Sequence, residues 1–163
     1  MDEKLVKPIG IRKSAFIKVS GDLCTSEKFL KQVSKLVQKY FVVICVGAGK
    51  QINEAFEEAG LYVGKHGPLG RECEDLKSKQ LARDILEINQ AELQDALADR
   101  GITATVVIPV LNIGTVLCHV NGDQFLKAAY LGFDMLYVVT LKNRKEAKKE
   151  EFKYLPKIKI MAI

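Results

Sequence analysis

Three short glycine-containing turns and one lysine are the places in this sequence where residue type and spacing could do chemistry. Phe16-Ile17-Lys18-Val19-Ser20-Gly21-Asp22, Val46-Gly47-Ala48-Gly49-Lys50-Gln51-Ile52-Asn53 and Val120-Asn121-Gly122-Asp123 each follow a strand-like run and open a helix-like one. Glycine at such a corner lets backbone N–H groups face a ligand with no Cβ in the way, and a helix start adds about half a positive charge. The ligand this favours is an anion such as phosphate. Lys18 interrupts Ala15-Phe16-Ile17 and Val19 just before the first corner. Unpaired in a buried strand, a lysine is costly. It is therefore either a cation aimed at phosphates or the mark of an edge strand, with its side chain reaching past the sheet end.

The common nucleotide fingerprints do not fit these corners. The dinucleotide pattern needs Gly where Ile52 stands, and the P-loop needs Gly at Ile44 and Ser or Thr at Gln51. The cysteines, Cys24, Cys45, Cys73 and Cys118, form no Cys-x-x-Cys pair, so a zinc knuckle is not expected and no metal site is assigned. Cys45 lies inside an apolar run and reads as a small core residue. Nothing calls for disulfides, which implies a reducing compartment.

The elements that must position these corners alternate. Residues 15–19 read as a buried strand, 26–40 as a helix capped by Thr25 or Ser26, 42–46 as a second strand, and 51–59 as a helix ended by Gly60. A glycine-rich connection over 60–70 leads to a long helix from about 74 to 99, with Leu81, Ile85, Ile88, Leu93, Ala96 and Leu97 on one face. Strands are expected over 103–110, 115–120, 135–140 and 157–163, with helical segments over 125–131 and 142–153. Near-continuous apolar strands alternating with helices imply an α/β, three-layer αβα sandwich with a mainly parallel central sheet. Right-handed crossovers would bring the strand-end corners to one edge of that sheet, where such folds bind ligands.

The 163 residues are 48% apolar and 28% charged, an ordinary globular composition, read as a single domain over 1–163 with a full core. No run approaches the ~18 apolar residues of a membrane span, and no charged-then-apolar leader opens the chain, so a cytoplasmic protein without membrane attachment is expected. Residues 1–141 hold 17 Lys/Arg and 17 Asp/Glu, while 142–163 hold 8 and 3, which confines the net charge of +5 to the end of the chain. A neutral body argues against nucleic acid as a partner. The basic stretch itself reads as a solvated helix with interspersed Glu146, Glu150 and Glu151.

Taken in order, Ile17-Lys18-Val19-Ser20-Gly21, Val46 to Asn53, and Val120-Asn121-Gly122-Asp123-Gln124 followed by Ala128 to Asp134 and a strand to Thr140 make the chain resemble the amino acid kinase family, nearest in look to its acetylglutamate kinase and uridylate kinase branches. The likeness covers about residues 14–141 and implies that family's fold. It implies an ATP-dependent phosphotransferase acting on a carboxylate or phosphate group of a small metabolite, with Mg²⁺ accompanying the nucleotide. Lys18 would contact the phosphoryl group in flight, and Asp123 would hold the catalytic lysines. Ser20, Gly21, Gly47, Ala48, Gly49, Asn53, Arg71, His119 and Asn121 would bind substrate and phosphates, while Thr140, Lys142 and Lys157 would serve the nucleotide. A homodimer or higher homo-oligomer involving the long helix is also implied.

The sequence departs from that pattern at several positions. Ala48 replaces the middle glycine of the family's triplet, His119 stands where acetylglutamate kinases carry asparagine, and Leu141-Lys142-Asn143-Arg144 occupies the place of an aspartate-containing nucleotide loop. The chain is also shorter than family members. A catalytically degenerate relative that binds a small anionic metabolite or nucleotide, or serves as a structural or regulatory subunit, is the competing reading. A third is that the chain is a piece of a longer kinase.

Overall fold

Each apolar run and each cap in the chain has a local outcome. The computed structural model describes residues 12–73, 75–113 and 116–163. Strand β1 (Ser14–Val19) leads through a tight turn to helix α1 (Glu27–Leu36), whose N-cap Ser26 accepts a hydrogen bond from the Phe29 N–H at 3.4 Å. Strand β2 (Phe41–Val46) is followed by α2 (Gly49–Glu58), which stops where Gly60 takes a φ of +64°. A short hairpin, β3 (His66–Gly67) and β4 (Gly70–Arg71), precedes the long α3 (Leu76–Ala98), where Asp75 caps the Ser78 N–H at 2.8 Å. Next come β5 (Thr105–Val107), β6 (Val110–Ile113), β7 (Val116–His119) and α4 (Gly122–Ala128). Strand β8 (Met135–Thr140), α5 (Lys145–Glu151) and β9 (Ile158–Ala162) complete the order.

Five strands form one sheet in the order β5-β2-β1-β8-β9, every neighbouring pair parallel. Because side chains alternate along a strand, the sheet needs cover on both faces. On one face Ala15, Ile17, Val19, Val42, Ile44, Val46 and Val139 pack under Phe29, Leu30 and Val33 of α1 and Leu93 and Leu97 of α3. On the other, Phe16, Cys45, Leu136 and Val138 meet Leu126 of α4 and Phe152 beyond α5. The Phe16 ring lies edge-on to Phe133 at 5.1 Å. Burying each large side chain contributes about 1.5–3 kcal/mol, so the two layers together hold the sheet. Helix α2 packs on α3 through Ile52, Phe56, Ala82 and Leu86. The molecule is thus the expected three-layer αβα sandwich.

The differences from expectation are local. The long helix ends as read, but 103–110 divides: only β5 joins the sheet, and β6 pairs with β7 in a separate antiparallel hairpin. Chain direction explains this, since β6 and β7 are joined too closely for a parallel crossover. At the end of the glycine-rich connection the chain folds into the β3–β4 hairpin. Glu74, at the expected start of the long helix, and Thr115 lie outside the described residues. No helix among the described residues is long and apolar enough to cross a membrane.

Candidate functional site

The chain leaves β1 toward β2 on one side of the sheet and leaves β8 toward β9 on the other, so a crevice opens between the carboxyl ends of β1 and β8. A cavity of about 670 Å³ lies there, lined by all three glycine corners. It collects Lys18, Lys50, Arg71, Arg144 and Lys148 against two acids, Asp22 and Asp123. Such a balance attracts anions.

Lys18 sits at the carboxyl end of β1 on the α4/α5 face, beyond Phe16. Its Nζ lies 3.4 Å from Asp123 Oδ1, and its aliphatic stem runs over Gly122, where a Cβ would stand 2.9 Å from Lys18 Cε. Asp123 is held in the first turn of α4 by Asn121, whose side-chain oxygen accepts from the Asp123 N–H at 2.8 Å. The other carboxylate oxygen, Oδ2, accepts from Lys148 Nζ at 2.6 Å, and Lys148 also donates to Glu151 at 2.7 Å. One carboxylate therefore sits between two ammonium groups. Burial alone would raise the Asp123 carboxyl, but the charge of Lys18 and the hydrogen bond and charge of Lys148 outweigh it and hold it below the ordinary carboxylate value. Lys148 is the mirror case: burial would lower it, and its bonds to Asp123 and Glu151 raise it. Lys148 therefore stays protonated near neutral pH.

The first two corners meet closely. Gly47 N–H donates to Val19 O at 2.9 Å, joining the ends of β1 and β2. A Cβ on Gly21 would lie 2.6 Å from Gly47 O, a backbone atom that cannot yield. Ala48 is buried with φ −147°, outside the left-handed region that favours glycine. The start of α2 has no side-chain cap, so its first backbone N–H groups lie beside the cavity without intrahelical partners.

The far wall is built by the β3–β4 hairpin and β7. Arg71 donates to Val63 O and to Asn53 Oδ1, with its guanidinium carbon 5.3 Å from the Phe56 ring centroid. The hairpin is tied across the cleft by the Asn121 N–H, which donates to Leu69 O at 2.5 Å. Gly70, at φ +132°, makes that approach possible, because a side chain there would run into Asn121. His119 Nε2 is buried without a hydrogen-bond partner among the described residues. Burial, reinforced by the charges of Lys79, Arg71 and Arg83, holds this imidazole below its ordinary value and keeps it neutral.

Lys18, Ser20, Gly21, Gly47, Ala48, Gly49, Asn53, Arg71, His119, Asn121, Asp123 and Thr140 all line the one cavity. Lys142 and Lys157 do not. Lys142 is exposed in the short helical turn Lys142–Arg144. Lys157 precedes β9 at the opposite rim, where Nζ donates to Phe133 O at 2.8 Å and to Tyr130 O, and packs over the Tyr130 ring at 4.5 Å. It ties the start of β8 to the start of β9. The lysine that reaches the site from the basic segment is Lys148, with Arg144 beside it on the lining, so this stretch is not wholly a solvated helix. One signal could have found Lys148: it lies four residues before Phe152, the apolar residue that marks the inward face of α5.

Cys45 is buried in the core as expected, beside Lys18 in the sheet register, and burial pushes its thiol up to about 12. Among the described residues no group of three or more His, Cys, Asp or Glu side chains converges in a way that could hold a metal ion. No protein-family model matches the chain, and no curated protein matches it.

Proposed function

We propose that this chain is an ATP-dependent phosphotransferase acting on a carboxylate or phosphate group of a small acidic metabolite. The observation that carries the reading is Asp123 between Lys18 and Lys148 in the wall of a cavity lined by the glycine corners. Phosphoryl transfer asks little covalent chemistry of a protein. It asks for in-line placement and positive charge around a dispersed negative transition state. Lys18 and Lys148 supply that charge on fixed stems, and Asp123 keeps both aimed. In the step itself, an acceptor oxygen forms a bond to the terminal phosphorus of ATP as the bond to the bridging oxygen breaks and ADP leaves. A carboxylate acceptor has no proton to lose. Arg71, Asn53 and the neutral His119 form the wall where an acidic acceptor would be held. The remaining cations, Lys50 and Arg144, and the backbone donors at Gly47 to Gly49 suit a polyphosphate. Mg²⁺ belongs to this reading as the partner of the nucleotide phosphates, and no side chain is assigned to it.

A second reading has its own observation in support. Among the described residues that line the cavity none is Phe, Tyr or Trp, and the β8 side offers Val139, Thr140, Arg144 and Lys148, which give a nucleotide base no aromatic ring to stack on. That favours a module that binds a phosphate-bearing or dicarboxylate ligand without turnover. Incubating the purified chain with ATP, Mg²⁺ and a panel of N-acylated acidic amino acids and nucleoside monophosphates separates the two. Acceptor-dependent ADP release that disappears in Lys18→Ala supports the kinase. Tight anion binding with no ADP formed under any acceptor rejects it and supports the module.

A further inference from the structure

The long helix α3 turns a stripe of Ala82, Leu86, Leu93 and Leu97 inward, and Asn89 stands in the middle of that stripe, 4% exposed. A buried amide is unfavourable unless its polar atoms are paired, and a leucine would simply continue the stripe. The Asn89 Nδ2 donates to Gly47 O at 2.9 Å. That same nitrogen fills the space a Cβ on Gly21 would need. One side chain thus sits at the junction of the first two corners, far along the chain from both.

The bond has a directional consequence. In a trans peptide the carbonyl and the following N–H point in opposite directions. With Gly47 C=O drawn toward α3, the Ala48 N–H is turned away from α3; it has no acceptor among the described residues, and Ala48 lines the cavity. The Gly47 N–H is fixed as well, by Val19 O. Both polar groups of Gly47 are therefore held, one by β1 and the other by Asn89.

We infer that Asn89 is a positioning residue: by holding Gly47 C=O it aims the Ala48 N–H and the first amides of α2 at a phosphate-bearing ligand. This rests on the phosphate-binding reading of the cavity.

The test uses the full chain, with inorganic pyrophosphate and ADP as probes, followed by calorimetry and by ¹⁵N–¹H spectra. Asn89→Leu leaves Gly47 O without its donor, so it should unfold below the wild-type midpoint, and it should bind both probes about tenfold more weakly. The Ala48 and Gly49 amide resonances, which should shift when wild type takes up pyrophosphate, should then respond little. Should Asn89→Leu not fold, Asn89→Asp carries the test, because its carboxyl can donate to Gly47 O only when protonated. Relative to wild type, its binding should recover at pH 5 and fail at pH 8. A folded Asn89→Leu that binds like wild type, or an Asn89→Asp whose relative binding ignores pH, overturns the inference alone. Wild type that binds neither probe overturns the reading of the cavity and this inference with it.

Discussion

Lys148, 25 residues after Asp123, makes the shorter of the two contacts to that carboxylate, 2.6 Å to Oδ2 against the 3.4 Å that separates Lys18 from Oδ1. The strand lysine and the helix lysine approach opposite oxygens. Counting Glu151 and the Lys127 ammonium 3.7 Å from it, the cluster sets three ammonium groups against two carboxylates, a net positive charge. An arriving phosphoryl group would complete its neutralisation.

Removing either ammonium should affect turnover more than folding. Under the phosphotransferase reading, Lys18→Ala and Lys148→Ala should each lower acceptor-dependent ADP release by about 10²–10³. Circular dichroism should stay that of the wild type. Equal activity in Lys148→Ala would remove that lysine from the proposed machinery.

Removing the acid should cost stability as well as turnover. Asp123→Asn leaves two largely buried ammonium groups facing each other, which costs about 3 kcal/mol and lowers Tm by roughly 6–12 °C. Urea denaturation across pH gives the sign. The folded-state value of Asp123 lies below its ordinary 3.8, so its contribution is present above about that pH and is lost as pH falls through the folded value. Lys148 is raised above 10.5, so its contribution is present below that pH and is lost as pH rises through the folded value. In Asp123→Asn the acid loss should be shallower than in wild type.

Two glycines of the corners should behave oppositely. Gly21→Ala would press a Cβ against Gly47 O and Gln51 Nε2, each 2.6 Å away, and should destabilise by about 1–3 kcal/mol. Gly49→Ala meets nothing within 4 Å and should leave stability unchanged or raise it by up to about 1 kcal/mol. Thermal unfolding of the two variants side by side checks this.

His119 should make wild type acid-sensitive in a range where carboxylates are silent. Its folded value lies below the ordinary 6.5, first through burial, so below that pH the unfolded chain takes up a proton that the folded chain refuses. The stability it contributes is present above about pH 6.5 and is lost as pH falls toward the folded value. The urea midpoint should therefore drop between pH 7.5 and pH 5, and His119→Gln should flatten that drop.

Much of the site was legible in the residues themselves. Lys18 stood out because an ammonium in an apolar strand needs a reason, and the corners at Gly21, Gly47 and Gly122 stood out because each separates a strand pattern from a helix pattern. Asp123, in the first turn after the third corner, was placed by that same local logic. Asn89 was not legible: in a helical stripe one amide looks like a tolerated polar residue, and its carbonyl partner lies 42 positions away. The hairpin of β6 and β7 was also hidden, since β-branched runs do not declare which way their partners run.

Strand, helix and corner are properties of neighbouring residues, so β-branching, apolar period and glycine placement along this chain sufficed for the αβα layering and for most of the cavity wall. Which cation completes the cluster depended on tertiary structure. Lys157 precedes a parallel strand and so begins at the rim opposite the carboxyl ends of β1 and β8, whereas Phe152 packs the end of α5 onto the sheet and brings Lys148 over Asp123. Charge and type were the same for both lysines. Sheet direction and one buried ring decided between them.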